Sequence, residues 1–246
     1  MTRKLWAAAA ATIAMFSSSS ALAFVTYYGY DANPTPGSPA TYPNSVNAQA
    51  DFLSHLTGVG TENFEGFTAG QTAPLNLTFP GAGTATLNAT AGQILNVPPP
   101  GTSNGRFPTS GNQYWSIDVT SGTFDIGFGS DVAAFGFYGT DLGDYGGDLT
   151  LRLTLSGGGT TDINVPYTPV LPDATVLYFG LITNNAAEQF TNIAFLSTGG
   201  YGSETFGFDD MTIGSLQQVS IPEPATIALF GMGLAGLGFS RRRKRG

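Results

Sequence analysis

The stretch Leu149-Thr150-Leu151-Arg152-Leu153-Thr154-Leu155 alternates leucine with polar residues without a break, and Gly157-Gly158-Gly159 follows it. A period of two puts every leucine on one side of an extended chain, and Arg152 with the threonines on the other. This is the pattern of a half-buried antiparallel strand, and the glycine run turns the chain back in a hairpin. Glycine-punctuated runs of aromatic and β-branched residues, several with the same alternation, predict short strands over 63–67, 75–79, 84–89, 93–97, 114–119, 123–128, 132–140, 161–165, 176–182, 190–197 and 205–213. Turn residues separate them roughly every ten residues, the spacing of a sandwich or jelly roll. No repeat of fixed period stands out, which argues against a propeller or solenoid. The expected fold class is all-β: a jelly-roll-like antiparallel β-sandwich with one short N-terminal helix and a C-terminal hydrophobic helix.

Composition supports a packed body. Aromatic residues make up 12% of the chain and charged residues only 11%, the reverse of a disordered sequence. There is no cysteine. This excludes disulfides, thiol catalysis, cysteine-ligated zinc and iron–sulfur clusters, and leaves the core or a metal to hold the fold.

Charge is sorted along the chain. Arg3 and Lys4 stand at the front and Arg241, Arg242, Arg243, Lys244 and Arg245 at the back; between them only Arg106 and Arg152 are basic. The body is therefore more acidic than the formal net charge of −8 implies. It has no basic surface to pair with phosphate, which excludes nucleic acid as a partner.

Residues 1–23 read as a secretory signal peptide: a basic start, an apolar run from Leu5 to Phe16, and Ala21-Leu22-Ala23 as the small-x-small site of signal peptidase. Cleavage is expected after Ala23. Residues 24–61 are expected to form an extended lead-in with a short helix over Asn44–Leu56, capped by Asn44 or Ser45. The sole histidine, His55, lies on that helix and reads as a surface or packing residue. The β-sandwich is expected over 62–216 and a sorting region over 217–246.

That last region has three parts in order: Pro222-Glu223-Pro224, an uncharged run from Ala225 to Phe239, and the Arg cluster. The run is shorter than the roughly 20 residues of a full membrane helix, but flanking arginines extend its reach. The cluster would stay cytoplasmic. Together these features resemble the PEP-CTERM sorting signal of Gram-negative bacteria that make exopolysaccharide. The resemblance implies recognition and tail removal by an exosortase. The chain is then exported, transiently held in the membrane by its C-terminal helix, and placed at the cell surface or in the extracellular matrix.

The body also resembles a recurring group of exported proteins that carry this signal. The stretches that carry the likeness are Asn63-Phe64-Glu65-Gly66-Phe67, Thr109-Ser110-Gly111, 134–141 (AFGFYGTD) and 206–211 (FGFDDM). The resemblance implies a jelly-roll domain similar in outline to carbohydrate-binding modules, with no activity attached.

Three chemistries remain open. Glu65 opens the strand region and Asp209 and Asp210 lie in its last strand; if those strands are neighbours, their carboxylates could share a Ca²⁺. The alternative is that these acids accept backbone N–H groups or face water. A second acidic run, Asp141-Leu142-Gly143-Asp144 through Asp148, lacks EF-hand spacing and reads as a glycine-rich hairpin. Tyr114, Trp115, Tyr138 and Tyr145 are candidates for stacking on sugar rings, against the alternative that they are core. No G-x-S-x-G or H-E-x-x-H motif is present. The expected role is non-enzymatic, structural or binding, associated with exopolysaccharide or biofilm. A carbohydrate-binding module is the alternative, and a carboxylate-based polysaccharide hydrolase the third reading.

Overall fold

The computed structural model describes residues 24–32, 37–120, 122–144, 146–166, 174–199 and 204–220. The signal peptide with Ala21 and Ala23, the sorting residues Pro222, Glu223, Pro224, Arg241, Arg242 and Arg243, the C-terminal hydrophobic segment and Tyr145 lie outside the described residues.

The elements in chain order are β1 (Val25–Asp31), α1 (Pro43–Ser54), β2 (Thr61–Glu62), β3 (Leu75–Phe79), β4 (Gly83–Ala89), β5 (Gly92–Asn96) and β6 (Gln113–Asp118). They continue with β7 (Phe124–Val132), β8 (Ala134–Thr140), β9 (Gly147–Leu155), β10 (Thr160–Asn164), β11 (Val176–Ile182), β12 (Phe190–Gly199) and β13 (Thr205–Gly214). The first sheet runs β1-β11-β8-β13-β6-β5, with β2 beside β13, and the second runs β10-β9-β12-β7-β4-β3. Every pairing in both is antiparallel. The two sheets face each other as a jelly-roll-like sandwich.

The alternation that predicted β9 is what the structure uses. Leu149, Leu151 and Leu153 are buried between the sheets. Arg152 points out and meets Asp162 directly across the hairpin, with Nε–Oδ1 at 2.7 Å and Nη2–Oδ2 at 2.8 Å. Phenylalanines dominate the middle of the sandwich: Phe137 stacks on Phe208 at 5.0 Å, and Phe195 packs edge-on against both.

A second core lies on the outer face of the first sheet. There α1 seats Phe52, fully buried, against Tyr27 and Tyr178. Gly136 and Gly180 make room for it; a Cβ on Gly180 would stand 2.6 Å from the Phe52 ring. This face explains why β8 and β11 are buried at every position, not at alternate ones.

The segment expected as a lead-in belongs to the sandwich. Val25–Asp31 is the edge strand of the first sheet, paired with β11 from Val25↔Ile182 to Asp31↔Val176. Its buried positions, Tyr27 and Gly29, face α1, and Gly29 has no side chain to collide with the helix backbone at Asn44; Tyr28 and Tyr30 pack against the central core. The helix begins at Pro43, and neither Asn44 nor Ser45 is its cap residue. Asp31 does that work from outside: its carboxylate accepts from Asn44 N at 3.2 Å and Ser45 N at 2.8 Å. At the other end the folded body continues past 216, because Ser220 N donates to His55 O at 2.8 Å and Leu56 bridges to Val219.

The strand expected over 63–67 is a turn. Phe64 has φ +59°, Glu62 Oε1 accepts from its N–H at 2.7 Å, and Asn63 Oδ1 accepts from Glu65 N at 3.3 Å. Local side-chain acceptors replace the ladder here.

Register gives the first sheet two distinct ends. Val25, Ile182, Ala134 and Gly214 fall in one row. Asp31, Val176, Thr140 and Gly207 fall in another, with Thr205 opposite Asp118 beside it. Six steps of β8 separate the rows, about 20 Å.

Candidate functional site

The connection from β5 to β6, residues 97–112, is long, rich in Pro, Gly and Ser, and lies along the outer face of the first sheet. A loop of this composition has little hydrophobic surface to hold it, so polar anchors must do so. Asp209 Oδ2 accepts from Thr109 N at 2.7 Å, Ser110 N at 3.2 Å and Thr109 Oγ1 at 3.1 Å, while Oδ1 accepts from Asp210 N at 2.8 Å. Asp210 accepts from Ser110 Oγ at 2.7 Å and Thr109 Oγ1 at 2.9 Å. Glu65 Oε1 accepts from Asn112 N at 2.7 Å and Gln113 N at 2.6 Å. Thr140 Oγ1 donates to Phe107 O at 3.0 Å, and Tyr42 OH donates to Thr109 O at 2.7 Å.

Two glycines let the loop pass close to acids. Gly105 and Gly111 have φ of +84° and +62°, and a Cβ on either would collide with Asp141 or Glu65 respectively. The four stretches singled out in the sequence thus meet around this one loop. Asn63–Phe67 supplies Glu65, 109–111 supplies the donors, 134–141 supplies Thr140 and Asp141, and 206–211 supplies Asp209 and Asp210.

Burial pushes the Asp209 carboxyl well above its usual range, and the neighbouring Asp210 charge pushes the same way; the N–H donors oppose both. Burial also raises Asp210, against the hydroxyls of Ser110 and Thr109. Asp210 sits at φ +47°, where the β13–β8 register slips between Asp209 and Thr212. That irregularity turns both carboxylates to the loop.

This arrangement corrects the expected calcium site. β2 does pair with β13, at Glu62↔Met211. Glu65 and the Asp209–Asp210 pair nevertheless hold opposite ends of the Thr109–Gln113 segment and do not converge on one point. Among the described residues no group of three or more His, Asp or Glu side chains is placed to hold a metal ion. Ca²⁺ wants six to eight oxygen lone pairs, and here the carboxylate oxygens face N–H and O–H donors. The donor set does not fit the ion.

The described aromatic residues weighed for sugar stacking, Tyr114, Trp115 and Tyr138, are interior. Trp115 and Tyr114 are fully buried, and Tyr138 is covered by Tyr42 and Tyr178. His55 ends α1, 3.6 Å from Asp51 and against Tyr27.

Beside the loop tip a polar cleft of about 840 Å³ opens over β5 and β6. Gln93, Arg106, Ser116, Asp118, Asp141 and Asp144 line it. Asp141 Oδ1 also accepts from Ala174 N at 2.9 Å. Arg106 is held by the tight Ser103–Arg106 turn, and its Nη1 reaches Thr205 O at 3.5 Å. Its Nε is shielded from water and has no hydrogen-bond acceptor among the described residues. Sequence reasoning counted Arg106 only as a charge. Its rarity as one of two cations in an acidic body, placed in a Gly/Ser/Asn loop, was the available clue.

Residues 220–244 match the PEP-CTERM protein-sorting motif. No curated protein matches the chain. Among solved structures, the K2 cleaved adhesin domain of Lys-gingipain is similar at 13% identity and a TM-score of 0.40, over 63% of this chain and 97% of that one. A xylan-binding domain from carbohydrate-binding module family 22 is similar at 11% and 0.37, over 65% and 96%. A C-terminal family 22 module from Clostridium thermocellum is similar at 10% and 0.38, over 66% and 97%. Among the described residues no helix is long and apolar enough to cross a membrane.

Proposed function

We propose that this chain, which carries the PEP-CTERM sorting motif, is cut by an exosortase and then serves as a surface or matrix protein associated with exopolysaccharide, without catalysis. The observation that carries this reading is the motif itself at residues 220–244. It combines a proline-flanked acid, an apolar run and a basic terminus in the order a membrane-embedded processing enzyme requires. Intact-mass measurement of the protein from cells with and without an exosortase tests it. The mature form should lack Arg241–Arg245 only when the enzyme is present. Arg245 retained in exosortase-competent cells would overturn the reading.

The polar cleft favours a second, compatible reading, that the sandwich binds carbohydrate. A cleft lined by amides, hydroxyls, carboxylates and one guanidinium offers both donors and acceptors to ring hydroxyls. Arg106 supplies the one guanidinium of the lining and is the natural charged donor. Three aspartates against one arginine make the lining net negative, which favours neutral or amino sugars over uronates. Pull-down on the host polymer should fall when Arg106 becomes Ala and should be unaffected by Arg152→Ala on the other sheet. Equal retention of both variants would count against the cleft. Turnover of the polymer by the purified protein would replace the non-catalytic reading with a hydrolase.

A further inference from the structure

We infer that, while its tail is still attached, the sandwich stands end-on to the membrane, with the row that holds both chain junctions against the lipid surface and the cleft facing away. This rests on the reading of the tail as a membrane-anchoring sorting signal and adds an orientation that the motif alone does not contain.

The argument begins at the junctions. The body is fastened up to its last described residue: Ser220 N bonds to His55 O, Thr57 N to Gln218 O at 2.9 Å, and Gln218 Nε2 to Gly58 O and Pro80 O at 2.8 and 3.0 Å. The sorting motif starts at that same residue, 220. Only residues 221–224 separate it from the apolar run beginning at Ala225. The five Cα–Cα steps from Ser220 to Ala225 span at most about 18 Å. The leash is thus shorter than the about 20 Å between the two ends of the first sheet, so the far end cannot swing down to the bilayer.

The N-terminal junction leaves from the same end. Val25 shares its register row with Ile182, Ala134 and Gly214. Three inter-strand steps place Val25 about 14 Å from Gly214. The cleft lies at the opposite end, where Asp118 and Thr205 pair and Asp141 follows Thr140.

Charge follows the same axis. Asp31, Asp118, Asp141, Asp144, Asp148 and Glu204 gather at the cleft end. The junction end has fewer: exposed Asp131, Asp51 beside His55 at 3.6 Å, and a buried Glu188, whose carboxylate accepts from Thr183 Oγ1 and Asn185 Nδ2. Its exposed residues next to the tail are Thr57, Gln217 and Ser220. An anionic bilayer repels carboxylates within a Debye length, about 8–10 Å. The less acidic end can approach the lipid more closely, while the acid-rich end lies beyond that range.

The absence of cysteine makes the test direct. Single-cysteine variants of the full chain, Gln217→Cys and Thr57→Cys at the junction end and Asp148→Cys at the cleft end, are labelled with a fluorophore. They are reconstituted in phosphatidylethanolamine–phosphatidylglycerol vesicles that carry a head-group quencher. Quenching at 217 and 57 should exceed that at 148 several-fold. Inserting a flexible Gly/Ser segment longer than the sandwich after Ser220 should erase the contrast. Equal quenching at all three sites, or stronger quenching at 148, would overturn the orientation. A contrast that survives the insertion would overturn the short leash as its cause. A chain that does not float with the vesicles would instead overturn the anchoring reading, and the orientation with it.

Discussion

Both sheets of the sandwich supply the central core, but they differ on their outer faces. In the second sheet β9 alternates buried with more exposed positions and β10 alternates exposed with half-buried ones, and Arg152 and Asp162 pair in water. The first sheet is buried on both sides along β8 and β11, because α1 and the 97–112 loop lie across it. The difference shows how a sandwich face acquires a cleft. A face left to solvent needs only polar side chains, whereas a face covered by added segments must hold them, and the means of holding them shape a cleft.

The largest test of that contrast is Phe52→Ala. It removes a fully buried ring from between α1 and the first sheet and should cost about 3–5 kcal/mol, read as a fall in melting temperature. A loss below about 1 kcal/mol would mean that α1 rests on the sheet without stabilising it.

A middle-sized effect is expected at the carboxylates that pin the loop. The Asp209 carboxyl is raised in the folded state. A raised acid contributes stability that is fully present below its unfolded pKa and is lost as pH rises through the folded value. Wild-type protein should therefore lose this contribution as pH climbs from the acid side. Asp209→Asn, which cannot ionise, should flatten that part of the melting-temperature profile. A profile of unchanged slope would show that Asp209 is not the group that titrates.

The smallest effect is expected on the exposed face. Arg152→Ala breaks a bidentate pair, but both partners are solvated and the melting temperature should barely move. A fall comparable to that of Phe52→Ala would erase the distinction between the two faces.

The same contrast explains what the sequence made legible. Strands of the second sheet announce themselves through alternation, and 75–79 was read to the residue. β11 was equally legible as a short uninterrupted apolar run. β1 escaped because an edge strand under a helix buries only two residues fully, Tyr27 and Gly29, and its flanking prolines and tyrosines resemble a linker. At the site, Glu65, Asp209 and Asp210 stood out as residues, but not by their partners. A carboxylate that binds a cation and one that gathers backbone N–H groups leave the same letters in the chain. What separates them is the position of Thr109 to Gln113, which depends on pairing across about a hundred residues. Arg106 was hidden for a related reason, since an isolated cation has no periodicity.

The edge strand also sets a timetable. Val25 closes its ladder with Ile182, and Asp31, which secures the first turn of α1, pairs with Val176. A chain threaded outward from its N-terminus delivers Val25 early and Ile182 late. For most of that passage the first strand and the helix have nothing to fold onto. Closure must wait until nearly the whole body has crossed, and such distant pairings form slowly. The body is therefore suited to travel as an open thread and to take shape only at its destination.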